Sequence, residues 1–156
     1  MNLVHLDYEI DKKKYRDVFW SMYTKGKWYE FKDKSLGMRW WKVYNIEKEV
    51  EQVARDLNIH GMNNYPRFAY LFKGHDLPWH VDEDHMTSIM INLMEGPSPV
   101  VHIEDHPEPY ECMMWENGNL FHEVKERNEN SLMLKFCIRH PWEEVYDRLD
   151  SLGYIM

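Results

Sequence analysis

Cysteine is scarce in this chain of 156 residues: there are 2, and no CxxC pair. A thiolate zinc site is thereby excluded in practice. Cys112 and Cys137 lie inside apolar stretches and read as buried reduced thiols. Long apolar runs are missing too. None approaches the ~18 residues that a membrane-spanning helix needs. The N-terminal segment lacks the apolar stretch of a secretory signal, so a cytoplasmic protein with no membrane partner is expected. Bases are the minority, 19 against 27 acids, and the net charge is −8. A phosphate-binding surface leans the other way, so nucleic acid is not an expected partner. No internal repeat or low-complexity linker divides the chain, and its length suits one domain.

What is plentiful is histidine (9), methionine (11) and aromatic residues (7 Trp, 10 Tyr, 6 Phe). The histidines are bunched: His75, His80, His85, His102, His106 and His122 fall in one stretch.

The composition shifts near residue 64. Before it, two helical patterns stand out. Asp11 can cap a helix whose apolar face is Tyr15, Val18, Phe19, Met22 and Tyr23, with Ile10 and Tyr15 as a staple and Gly26 as the stop. A second helix is predicted from Asn45, with Ile46, Val50, Val53, Ala54 and Leu57 aligned. Residues 28–31 and 39–44 look like short strands between them. From 65 to 139 the pattern is mostly strand: 68–73, 79–82, 87–93, 100–103, 110–115, 120–124 and 131–139. The segment 104–109 between two of these is read as a loop, and Asn117-Gly118-Asn119 as a turn. Pro141 opens a final helix with Trp142, Val145, Tyr146 and Leu149 on one face. Seven or eight short, evenly spaced strands mean a sandwich or barrel. The fold class expected is mainly β with flanking helices. Residues 1–64 are read as a cover, 65–140 as the β core and 141–156 as a closing helix, all in one domain.

The strongest chemical signal is His80-Val81-Asp82. On an extended segment residues i and i+2 project from one face, so an imidazole and a carboxylate converge. The best third partner is His122, in a predicted strand just after a turn. Two histidines and one carboxylate on one side of a metal form the facial triad of non-haem iron(II) oxygenases. A lone HxD recurs by chance, and a surface His-Asp pair is usually just solvated. The approach Gly74-x2-Leu77-Pro78, the following strand and the downstream histidine favour the metal reading. His85 sits in the turn after Asp82 and is expected to point away. His102 and His106 flank an acidic loop and are read as solvated; His75 and His140 are read as caps or packing.

These residues carry a resemblance. Tyr65 to Trp142, about half of the chain, resembles the double-stranded β-helix (jelly-roll, cupin-like) core of the 2-oxoglutarate/iron(II)-dependent dioxygenases. The run Tyr70…Gly74-x2-Leu77-x2-His80-x-Asp82 is similar to the first-ligand region of prolyl 4-hydroxylase-like members. Asn117 to Val124, followed by a strand and His140-Pro141, is similar to the distal-histidine region of the aspartyl/asparaginyl β-hydroxylase group.

The resemblance implies His80, Asp82 and His122 as Fe(II) ligands, and 2-oxoglutarate as a chelating cosubstrate. It implies dioxygen as the oxidant and hydroxylation of a small molecule or a peptide side chain. A base on the strand after the distal histidine should meet the cosubstrate's far carboxylate. Leu132 stands where that base usually falls. The nearest bases are Arg127, Lys135 and Arg139, of which Lys135 is favoured and Arg139 second. Lys135 and Arg139 share a strand face with Ser131, Met133 and Cys137, while Leu132, Leu134, Phe136 and Ile138 form an apolar face for helices. Where the β-hydroxylase group carries an arginine and a histidine, this chain has Met90 and Asn92; Asn92 is a candidate cosubstrate contact. Tyr70 is a candidate phenol donor, and Trp40 or Trp41 a candidate substrate wall. A cupin-type metal enzyme without 2-oxoglutarate is the competing enzyme reading; such proteins usually carry HxH and a glutamate, where this chain has Asp82. A non-catalytic ligand-binding β-barrel is the third.

Overall fold

The computed structural model describes residues 1–36, 38–125 and 129–156, without the side chains of Leu36 and Trp79. In chain order its elements are β1 (Leu3–His5), α1 (Lys12–Thr24), β2 (Tyr29–Asp33), β3 (Met38–Val43), α2 (Glu51–Asp56), β4 (Asn64–Leu71) and β5 (Leu77–His80). There follow β6 (Thr87–Asn92), β7 (Val100–Ile103), β8 (His106–Pro109), β9 (Cys112–Trp115), β10 (His122–Val124), β11 (Ser131–Ile138) and α3 (Trp142–Ser151). The strands form two antiparallel sheets. The larger has the order β1-β9-β6-β11-β4-β3-β2, the smaller β5-β10-β7-β8. This is a jelly-roll core with helices against one sheet, the class expected from the strand spacing.

Alternation along the strands decides what each sheet face does. In β11, Leu132, Leu134, Phe136 and Ile138 are buried on the helix side. Phe68 and Tyr70 of β4 and Ile89 and Ile91 of β6 join them. Against this face pack Tyr15, Phe19 and Met22 of α1 and Trp142, Val145 and Leu149 of α3. The opposite face turns to the smaller sheet, where Met90, Met113 and Trp115 meet Val101 and Ile103.

Local signals explain several boundaries. Asp11 caps α1 by accepting from the Lys14 N–H at 3.1 Å, and Gly26 at φ +71° ends the turn that follows the helix. The second helix is shorter than its apolar spacing predicts. Asn45 adopts φ +59° after β3, and the regular helix begins at Glu51, although Ile46 and Val50 are buried as expected. The expected loop at 104–109 is half of a hairpin. Glu104 and Asp105 both have positive φ (49° and 66°), which fits a two-residue turn whose twist suits paired strands. Pro107 and Pro109 are tolerated because β8 is an edge strand. Among the described residues, no helix is long and apolar enough to cross a membrane.

Candidate metal centre and its cationic barrel wall

Strands β5 and β10 are antiparallel neighbours, and their register sets His80 opposite His122. The two imidazole rings lie 4.1 Å apart, centroid to centroid. Asp82 follows β5 and reaches both: its Oδ1 is 3.6 Å from His80 Nε2 and its Oδ2 is 3.2 Å from His122 Nε2. One ligand atom from each of the three residues falls within 4.8 Å of the others. The edge of Trp115 closes against His122 at 4.4 Å.

Hydrogen bonding on the far side of each ring determines what faces the centre. His80 Nδ1 lies 2.6 Å from the Pro78 carbonyl and His122 Nδ1 lies 3.0 Å from that of Leu120. A carbonyl only accepts, so each Nδ1 carries a proton and Nε2 is the nitrogen left to present a lone pair. Burial, together with the neighbouring His80, lowers the pKa of His122 despite the opposing pull of Asp82. Burial alone would raise the pKa of Asp82. Its close contacts with His122 and His80 and the charge of Lys135 outweigh it and hold the carboxyl far below the usual range. Lone pairs and an ionised carboxylate thus crowd one point, an arrangement that a divalent cation relieves. Two nitrogens and a carboxylate oxygen on one side, without thiolate, fit a first-row metal such as iron(II).

A second set of side chains holds Asp82 in place. Asn117, fully buried, uses its amide nitrogen twice, to Asp82 Oδ2 and to His85 Nε2, each at 2.5 Å. His85 also receives Ser88 Oγ at 3.0 Å on Nε2 and gives its Nδ1 proton to Asp84 at 2.6 Å. Burial, with the charge of Lys135, lowers its pKa to about 4, so His85 is the neutral acceptor these contacts require. The expectation that His85 points away is corrected: the chain turns it inward behind Asp82. Gly118 permits this close packing, since a Cβ there would come within 3.0 Å of the His85 carbonyl oxygen. Asn117 was legible only as a turn residue.

The larger sheet contributes cations to the same interior. Lys135 is 3 % exposed and its Nζ lies 3.3 Å from Asp82 Oδ2. It pairs across the sheet with Arg67 of β4 and Met90 of β6. Burial first, then the charge of Arg67, lowers the Lys135 pKa. Arg67 (7 % exposed) and Lys42 (9 %) are buried as well, and neither was singled out from sequence. Their signal was face parity with Lys135, visible only once β3, β4 and β11 are known to be neighbours. Trp40 shares this face, with Lys42 Nζ 3.9 Å from its ring centre, whereas Trp41 turns to the helices and stacks on Tyr23.

The other expected cosubstrate contacts are placed elsewhere. Tyr70 is on the helix side of β4, stacked on Phe19 at 5.8 Å, so its phenol does not face the barrel. Asn92 spends its amide on Met94 and on Glu111 at 3.0 Å each, capping the end of β6. Arg139 lies past β11; its guanidinium contacts the Asp84 carbonyl at 3.2 Å and covers the Tyr65 ring. Arg127 lies outside the described residues. His75 bonds the Lys73 carbonyl and His140 bonds Glu144, as packing and capping residues do.

No protein-family model matches the chain, and no curated protein matches it in sequence. Solved structures do match in shape. A prolyl-4-hydroxylase from Pseudomonas putida superposes with a TM-score of 0.62 at 14 % identity, over 83 % of this chain and 85 % of that one. The viral collagen prolyl hydroxylase from Paramecium Bursaria Chlorella virus-1, determined with 2-oxoglutarate, gives 0.58 at 12 %, over 83 % and 91 %. A non-haem α-ketoglutarate-dependent epimerase of nogalamycin biosynthesis gives 0.63 at 7 %, over 86 % and 76 %. At such identities the likeness speaks for architecture, and in architecture the chain has the double-stranded β-helix fold of the 2-oxoglutarate/iron(II)-dependent oxygenases.

Proposed function

We propose that this protein is an Fe(II)- and 2-oxoglutarate-dependent dioxygenase that hydroxylates a small molecule or a peptide side chain. The observation that carries the reading is the convergence of His80, Asp82 and His122 with both Nδ1 protons committed to backbone carbonyls. In this reading those three residues hold the metal, and Lys135 meets the far carboxylate of the cosubstrate. The bound iron and cosubstrate would supply the oxidising chemistry that no side chain possesses. The protein's own part is positioning and exclusion. Asn117 and His85 fix the Asp82 carboxylate, so the donor set needs little reorganisation. Met90, Met113, Trp115 and Ile103 make a dry wall that keeps water from a reactive centre. Lys135 rests on Asp82, the only acid within salt-bridge distance of it among the described residues; an entering dicarboxylate offers it a second partner.

Anaerobic titration with iron(II) and 2-oxoglutarate tests the proposal. One equivalent of iron and a visible charge-transfer band are expected, and both should vanish in Asp82→Ala. A wild-type protein that takes up no stoichiometric iron would end the oxygenase reading. If Lys135 is the anchor, Lys135→Met raises the apparent KM for 2-oxoglutarate at least about tenfold, since a buried charge-assisted bond is worth roughly 1.5–3 kcal/mol. Because Lys135 also donates to Asp82, its loss is expected to alter iron affinity as well, so the KM is read at saturating iron.

A further inference from the structure

We propose that Lys42 and Arg67 form a second anion site, which receives a carboxylate of the substrate while the substrate's apolar body lies on Tyr29, Phe31, Tyr44 and Tyr65. This names a substrate class for the centre described above and rests on that reading.

The barrel buries three cations, Lys42, Arg67 and Lys135, and among the described residues the only ion pair any of them makes is that of Lys135 with Asp82. A dication on the triad, one carboxylate ligand and a dianionic cosubstrate need a single cation to balance. This interior holds two more. Uncompensated buried charge is costly, so a pocket with this surplus is suited to a further anion.

Arg67 leaves its buried Nε without a partner. Lys42 lies two strands from Lys135 in the order β11-β4-β3, about 10 Å across the sheet. Its ammonium rests over Trp40 at 3.9 Å and Phe31 at 4.7 Å, with no carboxylate beside it among the described residues. Burial, then the charges of Arg67 and Lys135, lowers its pKa to about 7. An arriving anion would therefore restore its proton.

Space lies next to these two side chains. An open cleft of about 520 Å³ is lined by Tyr29, Phe31, Tyr44 and Tyr65 together with Pro66, Asn45 and the acid Glu47. Phe31 is thus both a wall of this cleft and a ring under the Lys42 ammonium. Tyr29 pairs opposite Lys42, and Arg67 lies against the Tyr44 phenol. Tyr29 is 60 % exposed and Phe31 37 %, which leaves aromatic surface open for an apolar ligand. Aromatic walls beside two unpaired cations suit a molecule with a flat apolar part and a carboxylate. The planar guanidinium of Arg67 matches a carboxylate's geometry.

The test uses full-length protein loaded with manganese(II) and N-oxalylglycine, an unreactive isostere of the cosubstrate, and follows binding calorimetrically. The probes are 3-phenylpropionate and its neutral amide, 3-phenylpropionamide. The acid should bind at least tenfold more tightly than the amide. Lys42→Met should bring the two within twofold of each other and leave N-oxalylglycine affinity unchanged. Tyr29→Ala, a surface change that spares the core, should weaken both probes alike. Equal affinities in the wild type would overturn the proposal. So would a Lys42→Met protein that keeps the acid preference but loses N-oxalylglycine, since Lys42 would then serve the cosubstrate. If N-oxalylglycine fails to bind the wild type, the oxygenase reading fails, and the acid–amide comparison without it still decides the anion site.

Discussion

The two faces of the seven-stranded sheet are made by the same strands and differ in almost everything else. On the helix side, Phe68, Ile89, Leu134, Phe136 and Ile138 are wholly buried among apolar neighbours. On the barrel side, Lys42, Arg67, Ser88 and Lys135 alternate with them and are buried too. The first face gains from leaving water. The second pays desolvation for every charge it holds and recovers it only through a partner or a ligand. One sheet therefore provides the stability on one side that permits an expensive site on the other.

The largest expected effect breaks the barrel side at its anion. Asp82→Ala should weaken iron binding by at least about 10²-fold, beyond the 10–100-fold seen for outer contacts of metal sites. It should also cost metal-free stability about 3–5 kcal/mol, because Lys135 is left buried and unpaired. Asp82→Ala with Lys135→Met should regain stability but not iron. Chemical denaturation and iron titration of both variants measure this, and an Asp82→Ala protein with undiminished iron affinity would remove the carboxylate from the ligand set.

Phe136→Ala, one residue along the strand from Lys135 and on the opposite face, should cost about 3–5 kcal/mol through cavity formation. Iron affinity of the folded fraction should stay as in the wild type. A selective loss of iron binding without loss of stability would mean that the two faces are not separate in role.

Asn117→Ala removes a donor from Asp82 and from His85 together. Metal affinity should fall about 10–100-fold. Asn117→Asp, which sets a second carboxylate against Asp82, should not rescue it.

Lys42 provides a milder test by pH. Its folded pKa of about 7 lies below its ordinary 10.5, so between these values the unfolded chain binds more protons. Stability should rise with pH through that window, approaching about 1.4 kcal/mol per pH unit. Below pH 7 Lys42 is charged in both states and contributes no slope. Lys42→Met should flatten the rise, measured as the difference between the two proteins from pH 7.5 to 8.5. The smallest effect is expected of Arg139→Met. Its guanidinium is engaged with the Asp84 carbonyl and Tyr65, so the KM for 2-oxoglutarate should change less than about twofold.

The sequence by itself determined the alternation of β11, the capped start of α1 and the local approach of His80 to Asp82. The first two follow helix and strand periods within one segment; His80 and Asp82 meet because they are two residues apart, although β5 ends at His80. The expectation that His122 approaches His80 and Asp82 rested on a histidine in a predicted strand just after a turn, and the pairing of β5 with β10 brings the three together. Tyr70 was misread because both faces of β4 carry aromatic or apolar residues, so the pattern did not say which face turns to the barrel. Asn92 failed for another reason: its amide is satisfied by Glu111, a residue 19 positions away. Tertiary structure alone decided that Asn117 and His85 stand behind Asp82, and that Lys42 and Arg67 join Lys135. His85 is only three residues from Asp82, but the others come from segments far apart in the chain, and a buried polar side chain acquires its role from the partners that the fold brings to it.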